Sequence, residues 1–369
     1  MICFKNNWDE TLERFDAWYR QKPTDRPLIS VWIKRGENEK LFPPYEEAPY
    51  DDAEDVYTNP EKRLARVMNS YGRMQKPGAE AYPNFTIDLG AGSMALYLGS
   101  EPHFTPETVW FKPFLEDYSA ALPFRYDPEN KWWLKHLELI KRLVKLAGET
   151  DIVINVPDIV ENIDILSAIR DPQLCCLDLY DHPDEVKLAL DGITKLYRVY
   201  YDAIYDIVKR PDGSSSFTAF NVIGYGKTAK LQCDFNAMMS PLHFKEFVVP
   251  TLALQCGWLD NTIFHLDGPE CIVHVDALMT VERLGGLQWT TGARNPLSGD
   301  ECWHGMYKKV VEAGKGLWLS LHGYKPEEAV DIAAGLVKKF GNRPFYFQMP
   351  PMDQSEYDAM MIRAEREWK

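Results

Sequence analysis

The sequence predicts an α/β protein, a (β/α)8 TIM barrel, on three observations. Short β-rich runs recur along the chain, stretches with helical spacing separate them, and about eight such units result. Alternating strand and helix implies a parallel sheet, because parallel neighbours need a crossover connection. With no internal repeat, low-complexity tract or linker in its 369 residues, the chain reads as one barrel domain over 28–369. A helical lead-in over 1–27 precedes it.

The expected strands, in order, are Leu28 to Ile33 (LISVWI), Asn84 to Asp88, Asp151 to Val156, Phe217 to Ile223 with Lys230 to Asp234, Thr262 to Leu266, Gly286 to Trp289, Leu317 to Leu321, and Phe345 to Gln348. Between the second and third lies KWWLKHLELIKRLVKLAGET, where Trp133, Leu137, Ile140 and Val144 recur at helical spacing. Near the end, KPEEAVDIAAGLVKKFGN has acidic residues in its first turn, Lys338 and Lys339 in its last, and Gly341 as terminator. Two long excursions, Glu37 to Pro60 and Gly90 to Glu129, read as insertions over the C-terminal face of the strands. Barrels place their active sites on that face.

Composition narrows the function classes. A 45% hydrophobic fraction with 11 Trp, 19 Tyr and 17 Phe fills a large core. The net charge of −14 disfavours nucleic acid, whose phosphates need a basic face. The longest apolar runs fall short of the roughly 18–20 residues that cross a bilayer, and the opening MICFKNNWDETLERF is too charged for a signal peptide. The 7 cysteines are odd in number and lack paired spacing, which predicts a reducing cytoplasm; the short apolar runs predict no membrane partner, and the acidic balance a small-molecule substrate.

Chemistry is expected where strands end. In IFHLDG, His265 and Asp267 leave a strand on the same face, as catalytic residues or as metal ligands with Cys233 or His322 as a third donor. The bland alternative is an Asp-Gly turn closing a core strand. Asp88 precedes LGAGS, whose glycines permit close approach to a ligand, or it caps a turn. Asp234 joins Asp88, His265 and Asp267 as a catalytic candidate. Arg35 could fork onto a carboxylate or be a solvated loop cation. Tyr225, Trp289, His322 and Gln348 complete the substrate-binding candidates. No phosphate loop, nucleophile elbow or H-E-x-x-H motif is present.

Three phrases together resemble the uroporphyrinogen decarboxylase superfamily: AIRDPQLCCLDLYDHPDEVKLAL, LQCDFNAMMSPLHFKEFVVPTL, and IFHLDG followed by LGGLQWTTG. The similarity runs from about Leu28 to Met361, nearly the whole chain. It implies a (β/α)8 barrel, a homodimer in the decarboxylase branch, and a cleft at the strand C-termini. Two chemistries are implied: cofactor-free decarboxylation of a tetrapyrrole's acetate arms, and zinc-dependent methyl transfer from a corrinoid carried by a partner protein. The decarboxylase pattern matches Val31, Trp32, Arg35 and Asp88. It departs at Glu39, where a second arginine is expected, at Asp234 in place of a serine, and at Pro350 and Pro351 in place of a histidine. The methyltransferase pattern keeps His265 but has Asp267 for a cysteine and no cysteine in FYFQMPPMD. The leading expectation is a divergent methyltransferase-like enzyme moving a one-carbon group between a corrinoid and a small substrate. The alternatives are decarboxylation of a carboxylated ring and a noncatalytic tetrapyrrole- or corrinoid-binding protein.

Overall fold

The computed structural model describes residues 1–119 and 121–369. Its strands are β1 (Leu28–Lys34), β2 (Gln75–Ala79), β3 (Asn84–Phe85), β4 (Pro102–Phe104), β5 (Val109–Phe111), β6 (Val153–Ile154), β7 (Ser214–Phe217), β8 (Val222–Tyr225), β9 (Thr228–Gln232), β10 (Asn261–Asp267), β11 (Gly286–Thr290), β12 (Gly316–Ser320) and β13 (Phe345–Gln348). One seven-stranded sheet runs in the order β2-β1-β13-β12-β11-β10-β9. Every pairing in it is parallel except β1 with β2. The short parallel pair β3–β6 stands apart from that sheet, and a single bridge from Val156 to Phe217 links it to β7. The expected α/β alternation is therefore present. Among the described residues, however, the hydrogen bonds form a seven-stranded sheet plus smaller pieces rather than one closed eight-stranded ladder.

One expected strand is a hairpin. Residues Phe217 to Ile223 split into β7 and β8, which pair antiparallel around Thr218–Asn221. Ala219 at φ +72° and Asn221 at φ +49° reverse the chain. No Gly or Pro marks the spot, so the turn is hidden in the sequence. The helices follow their patterns more closely. The helix Lys131–Ala147 buries Trp133, His136, Ile140 and Leu143, a face rotated slightly from the expected one. The helix Pro326–Phe340 stops at Gly341, whose φ of +82° suits glycine.

The helix Trp8–Tyr19 is amphipathic, and its Leu12, Phe15, Trp18 and Tyr19 join the main hydrophobic cluster. Trp18 crosses the N-terminal ends of the strands, where its indole N–H donates to the Pro344 carbonyl at 2.8 Å. A Cβ on Gly316 would lie 2.6 Å from the Trp18 ring, so glycine is required for that approach. Covering this end with an indole contributes roughly 2–3 kcal/mol of apolar burial. The other end of the strands is left uncovered by this helix.

At that other end lie the two insertions. Tyr57 of the first donates its hydroxyl to the Thr105 carbonyl of the second at 3.0 Å. The β4–β5 hairpin sends Phe111 to the edge of a cavity beside β9, while its neighbour Trp110 points out to solvent. Among the described residues, no helix is long and apolar enough to cross a membrane.

Candidate active site

Register decides which side chains meet. Residues paired across parallel strands project to the same face, and His265 lies opposite both Gln232 and Gln288. Gln288 lies opposite Trp318, and Ser320 opposite Gln348. Lys230, two residues before Gln232, shares this face. Polar residues at alternate positions of adjacent strands thus line one interior wall.

Lys230 is almost fully buried and pairs with Asp158 at 2.7 Å, just beyond β6. Its ammonium also donates to the Gln232 amide oxygen. The amide nitrogen of Gln232 donates to Asp164 at 3.0 Å and to Asp234 at 3.1 Å. Asp164 accepts in addition the backbone N–H groups of Asp234 and Phe235, both at 2.9 Å. Asp164, Gln232 and Asp234 border a cavity of about 350 Å³ whose remaining wall includes Phe111, Val160, Ile165, Phe235 and Met238. One side of the hollow is apolar; the other carries carboxyl groups.

The electrostatics follow from burial with too few cations. Asp164 is pushed up to about 6, first by desolvation and then by the Asp234 charge. Asp234 is raised by burial, with Lys230 opposing and Asp267 and Asp158 adding to the shift. Glu161 is fully buried and raised well above the usual carboxylate range by desolvation, with Lys230 and the Gln232 N–H opposing. His265 is lowered by burial and by the Lys230 charge, and its Nδ1 is bonded to the Gln288 amide oxygen. A neutral imidazole results, with Gln288 in turn donating to Thr290 at 3.0 Å.

The β7–β8 turn reaches into the same interior. Phe220 lies 5.0 Å from the His265 ring and 5.4 Å from Trp318, centroid to centroid. Its carbonyl accepts from the Trp318 indole at 3.0 Å, and the Asn221 carbonyl accepts from Tyr346 at 2.7 Å. Phe220 is thus held over the imidazole from two strands.

The expected site residues divide accordingly. The Asp267 charge acts on both His265 and Asp234, and Gln348 is buried in the interior with its amide nitrogen unpartnered. Asp88 lies apart: it accepts the Gly90 N–H at 3.1 Å, and its charge acts on Tyr57, Tyr97 and His136. Arg35 donates to the Tyr71, Gln75 and Glu39 carbonyls, bracing the first insertion. His322 is exposed on the loop after β12.

Two of the substrate-binding candidates lie away from this wall. Tyr225 is at the opposite end of the sheet, because β8 runs back and its last carbonyl meets Asn261 at the start of β10. Trp289 alternates with Gln288, so it faces the helix layer and packs edge-on against Trp303 at 5.1 Å. The metal expectation also meets a geometric obstacle. Among the described residues, no group of three or more His, Cys, Asp or Glu side chains is arranged to hold a metal ion. Cys233 follows Gln232 in extended backbone, which sends its buried thiol to the face away from His265. The His265, Asp267 and Cys233 donors therefore do not fit a zinc site as they stand.

Sequence reasoning passed over Lys230, Gln232, Glu161, Asn162, Asp164 and Gln288 as functional residues. For three of them a signal existed: polar residues at alternate positions in KLQ and LQWT, near the ends of otherwise apolar strands.

No protein-family model matches the chain, and no curated protein matches it. Among solved structures, the chain is similar in fold to a methyltransferase from Methanosarcina mazei. The two share 14% identity over 97% of this chain and 98% of that one, with a TM-score of 0.58. The likeness is one of α/β architecture with a mostly parallel central sheet.

Proposed function

We propose that the protein is an enzyme that transfers a methyl group between a small substrate at the mouth cavity and a corrinoid carried by a partner protein. The observation that carries this reading is the Asp164–Asp234 carboxyl pair on the cavity wall, with Asp164 pushed up to about 6. Fold likeness to a methyltransferase supports it.

Removing a methyl group from a heteroatom leaves an electron pair that needs a proton. The carrier, when bound, supplies the nucleophile that takes the methyl group. Asp164 is the general acid: as the carbon–heteroatom bond breaks, its proton passes to the heteroatom and the carboxylate remains on the amide of Gln232. General acids work best when their pKa lies near the operating pH. The apolar wall of Phe111, Phe235 and Met238 holds the body of the substrate. No step requires zinc, for which the donors are poorly placed.

A polycarboxylate ring gains less from this wall. It would face the Asp164 and Asp234 carboxyls, with Lys230 already paired and Arg35 engaged by carbonyls. The test is a spectrophotometric assay with reduced corrinoid and a panel of small O-methyl and N-methyl compounds. Methylated corrinoid should accumulate with the wild type, and Asp164→Asn should slow it by about 10²–10⁴-fold. Absence of transfer across the whole panel, in both directions, would sink the proposal.

A further inference from the structure

We infer that Gln232 is a positioning residue: its amide, turned by Lys230 and anchored through its backbone by Glu161 and Asn162, holds the Asp164 and Asp234 carboxyls side by side.

The anchoring arises because β9 is the edge of the seven-stranded sheet. An edge strand leaves backbone groups that must find partners when buried. Here side chains replace the missing strand. The Glu161 carboxyl accepts the Gln232 N–H at 2.7 Å, and the Asn162 amide donates to the Gln232 carbonyl at 2.6 Å. Reaching these positions puts Val160 at φ +55° and Asn162 at φ +49°. A β-branched residue in the left-handed region is a genuine outlier, and such strain persists only where the surroundings over-determine it.

Amide direction is fixed by chemistry. An ammonium has donors only, so the Gln232 oxygen must face Lys230 and the NH2 group must face the carboxyls. Its two hydrogens then serve one carboxyl each. Asp158, Glu161 and Lys230 surround this arrangement, with His265, Asp267 and Cys271 contributed by and beyond β10. A glutamate would turn a third acid toward the pair, and a methionine would offer no donor.

The inference rests on the proposed function only for its effect on turnover; the geometry is tested without any substrate. With selective 15N-glutamine labelling, the Gln232 side-chain NH2 resonance is identified by its loss in Gln232→Met. If that variant does not fold, Gln232→Glu, of equal length, serves instead. The resonance should move in both Asp164→Asn and Asp234→Asn; a resonance unmoved in both overturns the inference. In turnover, Gln232→Met should cost about tenfold alone and under about twofold further in the Asp164→Asn background. Fully additive losses would also overturn it. Failure of the wild type to transfer methyl groups would count against the proposed function while leaving the resonance test intact.

Discussion

The two ends of the sheet each bury a cluster of charges, and they treat them oppositely. At the N-terminal end Arg26 meets Glu80 through two bonds of 2.8 and 2.7 Å, and the Ile29 N–H completes the carboxylate at 2.9 Å. Arg14 lies 3.5 Å from Glu80 and forks onto Asp25. At the mouth, Lys230 stands among Asp158, Glu161, Asp164 and Asp234, and one oxygen each of Asp158 and Glu161 has no partner. Matched charge reads as structure. Charge left unmatched, in contact with a cavity, is where a ligand or a moving proton gains the most.

The largest effect expected from this contrast is on stability. Glu80→Ala strands a buried guanidinium and should cost about 3–5 kcal/mol, read from the shift in a urea unfolding midpoint. A loss below about 1 kcal/mol would erase the distinction between the ends.

Next in size is the pH response of the mouth. Asp164 binds its proton more tightly when folded than its ordinary value of 3.8, up to about 6. The Asp164 contribution to stability should therefore fall as pH rises between about 4 and 6 and level off above, because the unfolded chain releases that proton first. Asp164→Asn should flatten this segment of the unfolding curve. Under the proposed function, the demethylation rate should decline as pH rises through about 6 and lose that limb in the same variant. A wild-type rate that climbs through this range would instead point to a general base.

Smallest are the effects of residues that share the mouth in sequence logic but not in space. Tyr225→Phe removes a hydroxyl at the far end and should leave turnover within about twofold. Trp289→Phe trims the Trp289–Trp303 contact and should lower stability by about 1–2 kcal/mol without changing KM. A KM change in either variant would show that the sheet register does not sort the site as described.

Much of the candidate site could be anticipated from alternation. His265, Asp267, Asp234 and Gln348 lie near strand ends, and strand spacing alone directed them to a common interior. Asp88 and Arg35 were reached from strand ends and matched again by resemblance, and the fold engages both locally, with the Gly90 N–H and with loop carbonyls. Lys230 and Gln232 were harder to value, because a lysine inside an apolar strand ordinarily signals an exposed edge. Their meaning depends on Asp158 and Asp164, some seventy residues earlier.

What the sequence determined by itself was local: strands from runs of apolar residues, helices from 3.6-residue spacing and terminators, and the alternation of faces along each strand. These depend on backbone geometry and near neighbours. Only the tertiary structure decided that Thr218–Asn221 turns back into the interior, that β9 ends the sheet, and that Glu161 and Asn162 supply its missing partners. Such outcomes depend on hydrogen bonds and charges between segments far apart in the chain, for which a one-dimensional pattern carries no distance.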